Sequence, residues 1–186
     1  MNNIIKKCII CNSLENIQLI NKNPICEKCF NIQLKLDKQF SSKKTIFHPE
    51  CVEIIKEKLY LGNSDFSKIK ENLKKLNISH ILVCGFELET PFQNDFIYMK
   101  INLQDKIEDS ILPHINKCCE FIKNGKKVFV HCNAAVSRSP SIVIAYLIKE
   151  ENMNFEDAFN LVKKKRNIIK PNETFFKELL NLNNFK

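Results

Sequence analysis

The sequence predicts an α/β fold: a central, mostly parallel sheet flanked by helices, preceded by a small cysteine-rich module. Three observations carry this. From Cys51 onward, strand-like runs (58–61, 78–83, 96–101, 127–131) alternate with helix-like ones (66–76, 110–123, 139–151, 155–165, 172–182), and such alternation packs helices onto a largely parallel sheet. Two C-x-x-C pairs, Cys8/Cys11 and Cys26/Cys29, stand together ahead of that region. The run 127–131 ends in His131-Cys132, five residues intervene, and Arg138-Ser139-Pro140 opens an apolar helical segment. At 186 residues the chain has room for one ordinary domain and a small module. The expected boundaries are 1–40 for the module, 41–50 for a linker and 51–186 for the domain.

Taken in order, the module comes first. Fourteen residues separate its cysteine pairs, and that gap alternates weakly and contains Asn21-Lys-Asn-Pro24, as a hairpin would. Each pair makes a tight knuckle, and two knuckles complete a tetrahedral four-thiolate zinc site. Two disulfides or four free thiols are the competing reading. After Cys29, the apolar residues Phe30, Leu34 and Phe40, with Ile32 and Leu36, have roughly helical spacing. Knuckle, hairpin and helix together resemble a treble-clef zinc finger. With no open ligand position the zinc is expected to be structural, holding a segment too small for its own core. Ser41 to Pro49 reads as a linker, with His48 a solvated histidine in it.

Within the domain, Ile111, Leu112, Ile115, Cys118, Cys119 and Ile122 fall on one face of a helix, which makes the two cysteines core residues. Cys84 ends a strand near the proposed site and reads as a buried structural thiol rather than a disulfide partner of Cys132. The stretch 127–140 places a cysteine and an arginine at opposite ends of one loop at a helix N-terminus. Backbone N–H groups freed at the turn, with the positive helix end, suit a doubly charged phosphate. Such a field lowers a thiol from about 8.5 into the ~3.5–7.5 range, where the nucleophilic thiolate is present at pH 7. Arg138 offers a planar fork for two phosphoryl oxygens, which lysine cannot match. Ser139 reads as the N-cap and Pro140 as the first helical residue.

This loop resembles the signature of the cysteine-dependent protein phosphatases of the dual-specificity branch, whose pattern is His-Cys-x-x-Gly-x-Ser-Arg-Ser. The resemblance runs from Cys51 to the end: Glu53 to Gly62 looks like that family's first strand, Ile78 to Val83 its next, Ile111 to Ile122 the helix before the catalytic strand, and Arg166 to Leu179 its C-terminal helix junction. It implies a protein tyrosine phosphatase-like fold and hydrolysis of phosphotyrosine and phosphoserine/threonine through a cysteinyl-phosphate intermediate, with no metal in the chemistry. Cys132 would be the nucleophile, and Asn133, Ala134, Ala135, Val136, Ser137 and Arg138 would bind the phosphate. Ser139 stands where family members place a hydroxyl that assists departure of the thiolate. Asp105, six residues before the Ile-Leu-Pro opening of a helix, takes the place of the general acid; Glu108 is the reserve, and Asp109 reads as a cap. His131 would organise the loop by hydrogen bonding. Phosphoinositide-directed relatives carry lysines in the loop and RNA-directed ones follow the arginine with Thr-Gly; this chain has neither, nor a tyrosine-bearing recognition loop, so a shallow protein-directed site is expected. Two departures stand out: Ala135 replaces the loop glycine, and Val83 replaces an Asn often found in the upstream strand. A catalytically weak phosphate-binding pseudophosphatase or a zinc-finger adaptor is the alternative.

Composition narrows the classes. The formal charge is +8, with lysines spread along the chain and one dense cluster at Lys163-Lys-Lys-Arg166. Stacking aromatics are not interleaved with these charges, so the surplus reads as solvated surface that attracts anionic phosphoproteins, and nucleic acid is not an expected partner. A protein partner is left open for the zinc module. No run of 18 or more apolar residues appears, no secretory leader is visible, and Asn2 excludes N-myristoylation. Of the nine cysteines, four fall in metal-type pairs and one is the proposed nucleophile, which fits a reducing compartment, with the cytoplasm expected and the nucleus open as well.

Overall fold

The computed structural model describes residues 17–20, 23–26, 31–32 and 50–182. Near the N-terminus, β1 (Ile17–Ile20) and β2 (Asn23–Cys26) form an antiparallel hairpin with Ile17 opposite Cys26. The other proposed zinc ligands, Cys8, Cys11 and Cys29, and linker residues 41–49 lie outside the described residues.

A five-stranded mixed sheet organises the domain in the order β3-β4-β7-β5-β6. Its strands are β3 (Cys51–Ile55), β4 (Leu59–Gly62), β5 (His80–Cys84), β6 (Ile97–Ile101) and β7 (Val128–His131). Only β3 runs antiparallel to its neighbour; β4, β7, β5 and β6 pair in parallel. The family resemblance treats Glu53 to Gly62 as one strand. Instead, the chain reverses at Lys56-Glu57-Lys58, where Glu57 adopts a left-handed φ of 56° and its N–H donates to Glu53 Oε1 at 2.8 Å. No Gly, Asn or Asp marks that turn, so it carried no sequence signal.

Side chains alternate across the sheet as the pleat requires. Leu82 and Cys84 of β5, with Val128 and Val130 of β7, enter the larger core; Ile81 and Val83, with Phe129, enter a second core on the other face. Val83 is therefore fully buried on the face away from Cys132, which belongs to the larger core.

Two short helices, α1 (Ser64–Ser67) and α2 (Lys70–Lys75), occupy the region read as one helix over 66–76. The break falls at Ile69, whose backbone is extended at ψ 100°. Asn77 closes α2 in a left-handed conformation (φ 54°), the usual helix C-terminal solution without glycine.

The remaining helices are α3 (Leu112–Asn124), α4 (Arg138–Lys149), α5 (Phe155–Lys165) and α6 (Glu173–Leu182). In α3 the core face holds Ile115, Cys118, Cys119 and Ile122, as the spacing predicts, and burial pushes both thiols up to about 12. Leu112 departs from that face: it is half exposed at the first helical position, and Ile111 before it takes the buried place. Helix α4 is buried all round from Arg138 to Ile148 and packs against α3, α5 and α6. An all-buried helix is a central one. Its N-terminus is thus held rigidly beneath the end of β7, where the phosphate-type loop begins. No helix of the described residues is long and apolar enough to cross a membrane.

Candidate active site

Cys132 leaves the end of β7, almost fully buried, and the chain runs through residues 133–137 into α4. Each carbonyl of this loop is tied to something outside it. Asn133 O accepts from Ser64 N–H at 2.9 Å. Ala134 O and Ala135 O accept from Nη2 and Nε of Arg166, both at 2.9 Å. Val136 O accepts from Lys170 N–H at 2.7 Å, and Ser137 O from the N–H and hydroxyl of Ser141 at 3.0 and 2.7 Å. In a trans peptide the N–H points opposite to the C=O. Holding these carbonyls outward therefore turns the loop amides toward the centre, the concave arrangement of N–H groups that binds an anion.

That curvature requires a left-handed residue, and Ala135 supplies it with φ +52° while fully buried. The conformation is strained for any residue with a Cβ, by about 1–2 kcal/mol for a non-glycine. The sequence departure at Ala135 is thus a real one.

Arg138 enters the loop from the first turn of α4. Its Nη1 donates to Glu87 Oε1 at 2.5 Å and to Leu103 O at 3.4 Å, while its buried Nε has no hydrogen-bond partner among the described residues. One edge of the guanidinium is thus anchored, and the edge carrying Nε remains for two oxygens of a phosphoryl group. Burial opposes the charge on Arg138, but the bond to Glu87 and the nearby Cys132, Glu87 and Asp105 outweigh it and raise its pKa. Burial likewise opposes the Glu87 carboxylate, and the bond from Arg138 prevails, so its pKa is lowered. Gly85 makes this pair possible: a Cβ there would stand 2.5 Å from Arg138 Nη1 and 2.8 Å from Glu87 Oε2.

Ser139 is fully buried and its hydroxyl donates to Cys132 Sγ at 3.2 Å. The N-cap of α4 is Ser137, not Ser139, and Pro140 is the third helical residue. A proline is still accommodated, because the first-turn N–H groups have no intrahelical acceptor. The Ser137 hydroxyl does not cap the helix; it donates to Asp105 Oδ1 at 2.6 Å. Asp105 is thereby brought to the rim of the loop, on an exposed stretch between β6 and α3. Glu108 is exposed, whereas Asp109 accepts from Gln104 N–H at 2.6 Å and Ser110 N–H at 2.9 Å, closing its own turn.

His131 stacks on Phe129 with ring centroids 5.4 Å apart, and its Nδ1 lies 3.4 Å from Cys132 O. Burial pushes it down to about 4, against the opposing bond to Cys132 O. It is neutral at pH 7. Cys84 is fully buried in the larger core and desolvation pushes its thiol well above the ordinary range, so it stays protonated.

Arg166 corrects the view of the 163–166 cluster as solvated surface. It is buried against the loop carbonyls, and Lys163 Nζ donates to Ile169 O at 2.6 Å; Lys164 and Lys165 are exposed. Desolvation pulls the Arg166 guanidinium pKa down, and the nearby Cys132 and Cys51 oppose that. Glu87 and Arg166 were missed as site residues. Their partners lie 51 and 31 residues away, beyond the reach of any local pattern.

The model of the dual specificity phosphatase catalytic domain matches residues 59–185. This chain belongs to that family. The chain is 39% identical to dual specificity protein phosphatase 19 of Mus musculus over 69% of its own length and 60% of that protein. It is 33% identical to dual specificity protein phosphatase 1B of Arabidopsis thaliana, covering 75% and 86% of the two chains. It spans only 28% of a rhodanese domain-containing relative from Dictyostelium discoideum. Among solved structures it resembles DUSP15, with a TM-score of 0.67 and 31% identity over 72% of this chain and 86% of that one. It also resembles the human tyrosine phosphatase-like serine/threonine/tyrosine-interacting protein, with a TM-score of 0.64 and 31% identity over 71% and 94% of the chains. These structures share the mixed sheet flanked by helices.

Two outcomes follow from the geometry of this phosphatase loop. Ala135→Gly removes the left-handed strain, which the folded loop carries with or without substrate, and is expected to stabilise the domain by up to ~1 kcal/mol; denaturant unfolding of the two proteins checks it. For His131 the sign of the pH dependence is set by its depressed value. It titrates near 6.5 unfolded and about 4 folded, so the unfolded chain binds the proton first. Its contribution to stability is whole above pH ~6.5 and is lost as pH falls toward 4, by up to roughly 3 kcal/mol. Denaturant unfolding between these pH values should show a shallower dependence in His131→Gln than in the parent.

Proposed function

We propose that this chain is an active protein phosphatase that hydrolyses phosphotyrosine and phosphoserine/threonine through a cysteinyl-phosphate intermediate. The observation that carries the reading is the loop around Cys132, whose carbonyls from 133 to 137 are all tied outward while Arg138 and Ser139 converge on its centre. In the first step the Cys132 thiolate attacks phosphorus, the P–O bond to the substrate oxygen breaks, and Asp105 gives its proton to that leaving oxygen. In the second, Asp105 takes a proton from water as the water oxygen attacks phosphorus and the P–S bond breaks. Ser139, at 3.2 Å from Sγ, hydrogen-bonds the departing thiolate. Arg138 binds two phosphoryl oxygens throughout, and the loop amides bind the charge that develops in both transition states.

Family membership and this arrangement favour turnover over a phosphate-binding protein without it. Uncharged loop residues Asn133 to Val136 and the relatives' own protein phosphatase descriptions favour a phosphoprotein substrate. The test is direct. Cys132→Ser should abolish turnover of an aryl phosphate and of phosphopeptides. Asp105→Asn should lower kcat by roughly 10²–10⁴ with less effect on KM, and by less for good leaving groups. A silent Asp105→Asn beside a damaging Glu108→Gln would move the acid to Glu108.

We further propose a structural zinc ion held by Cys8, Cys11, Cys26 and Cys29. The spacing of the two pairs supports it, as does the hairpin that lies between them and ends at Cys26. Its thiolates would fix the module's fold, and a protein partner is the expected ligand of that module. Metal analysis of protein purified without chelators should find about one zinc per chain, lost in Cys26→Ser with the phosphatase activity retained.

A further inference from the structure

We propose that Asn172 is a positioning residue for Asp105, so that the first turn of α6 sets the distance between the acid and the phosphate loop. The inference rests on the reading of Asp105 as the general acid.

Asp105 sits in a stretch where Lys106, Ile107 and Glu108 are all exposed, so apolar packing does not hold it in place. Hydrogen bonds do. Asp105 Oδ1 accepts from Ser137 Oγ at 2.6 Å and from Asn172 Nδ2 at 3.0 Å, and Asn172 Nδ2 also donates to Lys106 O at 3.3 Å. Asn172 N–H in turn donates to Ser137 Oγ at 3.0 Å. Asn172, Ser137 and Asp105 thus form a closed triangle linking three separate segments.

The orientation of the Asn172 amide is determined by its surroundings. Its Oδ1 accepts from Phe175 N–H at 3.0 Å, capping α6, so the other end must be the NH₂ group, facing two acceptors. The Ser137 hydroxyl is equally constrained: with one proton, it donates to Asp105 and accepts from Asn172. Two donors on Oδ1 leave Oδ2 as the oxygen that carries the transferable proton.

The neighbouring bonds extend the same fastening. Lys170 N–H holds Val136 O of the phosphate loop, two residues before Asn172 holds the acid loop. Thr174 Oγ1 donates to Ile107 O at 2.5 Å, and Glu178 accepts from Ser110 Oγ and Ile111 N–H at 2.5 and 2.9 Å. Residues 170–178 therefore grip the phosphate loop at one end and the acid loop along its length. The acid is fixed by a third element rather than by its own loop.

Asn172→Ser tests this, because serine also caps a helix but its short side chain does not reach Asp105. On phenyl phosphate, whose leaving oxygen needs the proton, kcat/KM, which reports P–O cleavage and not the later hydrolysis of the cysteinyl phosphate, is expected to fall roughly ten-fold. On dinitrophenyl phosphate, whose leaving group departs without it, kcat/KM should stay within about two-fold. In an Asp105→Asn background the second change should add nothing on either substrate. Asn172→Asp keeps the cap acceptor and places a carboxylate against Asp105, and the same substrate dependence is expected, so the result does not hang on the stability of one variant. Equal losses on both substrates, a further loss in the Asp105→Asn background, or no loss at all would overturn the inference while leaving Asp105 as the acid. If Asp105→Asn itself proves silent on phenyl phosphate, the assignment of the acid is overturned and this inference falls with it.

Discussion

The site depends first on how the carbonyls of one loop are satisfied. A buried peptide group left without a partner costs about 1–3 kcal/mol, so a loop that aims its amides at a central anion must dispose of its carbonyls elsewhere. Here they turn outward onto Ser64, Arg166, Lys170 and Ser141. Arg166 matters most, because one planar group satisfies two successive carbonyls on either side of the left-handed Ala135. A lysine could not copy this, since its single ammonium lacks the two-pronged geometry.

The sheet and α4 convert that local arrangement into a rigid one. Parallel strands β4, β7 and β5 end together, so the loops after β4, β5 and β7 meet at one edge of the sheet. The start of α1, just after β4, supplies Ser64, the loop after β5 supplies Gly85 and Glu87, and the loop after β7 is that of residues 133–137 itself. Ligand sites at the carboxyl ends of parallel strands are the general outcome of this architecture. Helix α4, buried all round, then fixes the height at which Arg138 and Ser139 face Cys132.

Legibility in the sequence followed distance along the chain. Cys132, Arg138 and Ser139 lie within eight residues between a strand and a helix, so composition and spacing sufficed to bring them together. Asp105 was found through family resemblance, since nothing local marks a carboxylate that meets Ser137 from 32 residues away. Arg166 was concealed by the three lysines before it, whose exposure or burial depends on where α5 ends. The chain reversal at Glu57 and the break at Ile69 also escaped, because the residues there are not the ones that usually mark turns. The N-cap position moved from Ser139 to Ser137 for a similar reason: either serine can cap a helix in principle, and where the helix starts is decided by partners across the fold, Asp105 for Ser137 and Cys132 for Ser139.

The long-range clasp formed by residues 166–172 bears on when the loop after β7 takes its shape during synthesis. Cys132, Arg138 and Asp105 have all been added to the growing chain before Arg166 and Asn172 are made. Until those later residues dock, Ala134 and Ala135 lack the guanidinium that orients them, and Asp105 lacks one of its two tethers. Chains lengthen from the N-terminus at ~5–20 residues per second and domains fold as units. A nascent chain that already carries Cys132, Arg138 and Asp105 is therefore still without a finished loop around them, and that loop is completed only when α6 docks.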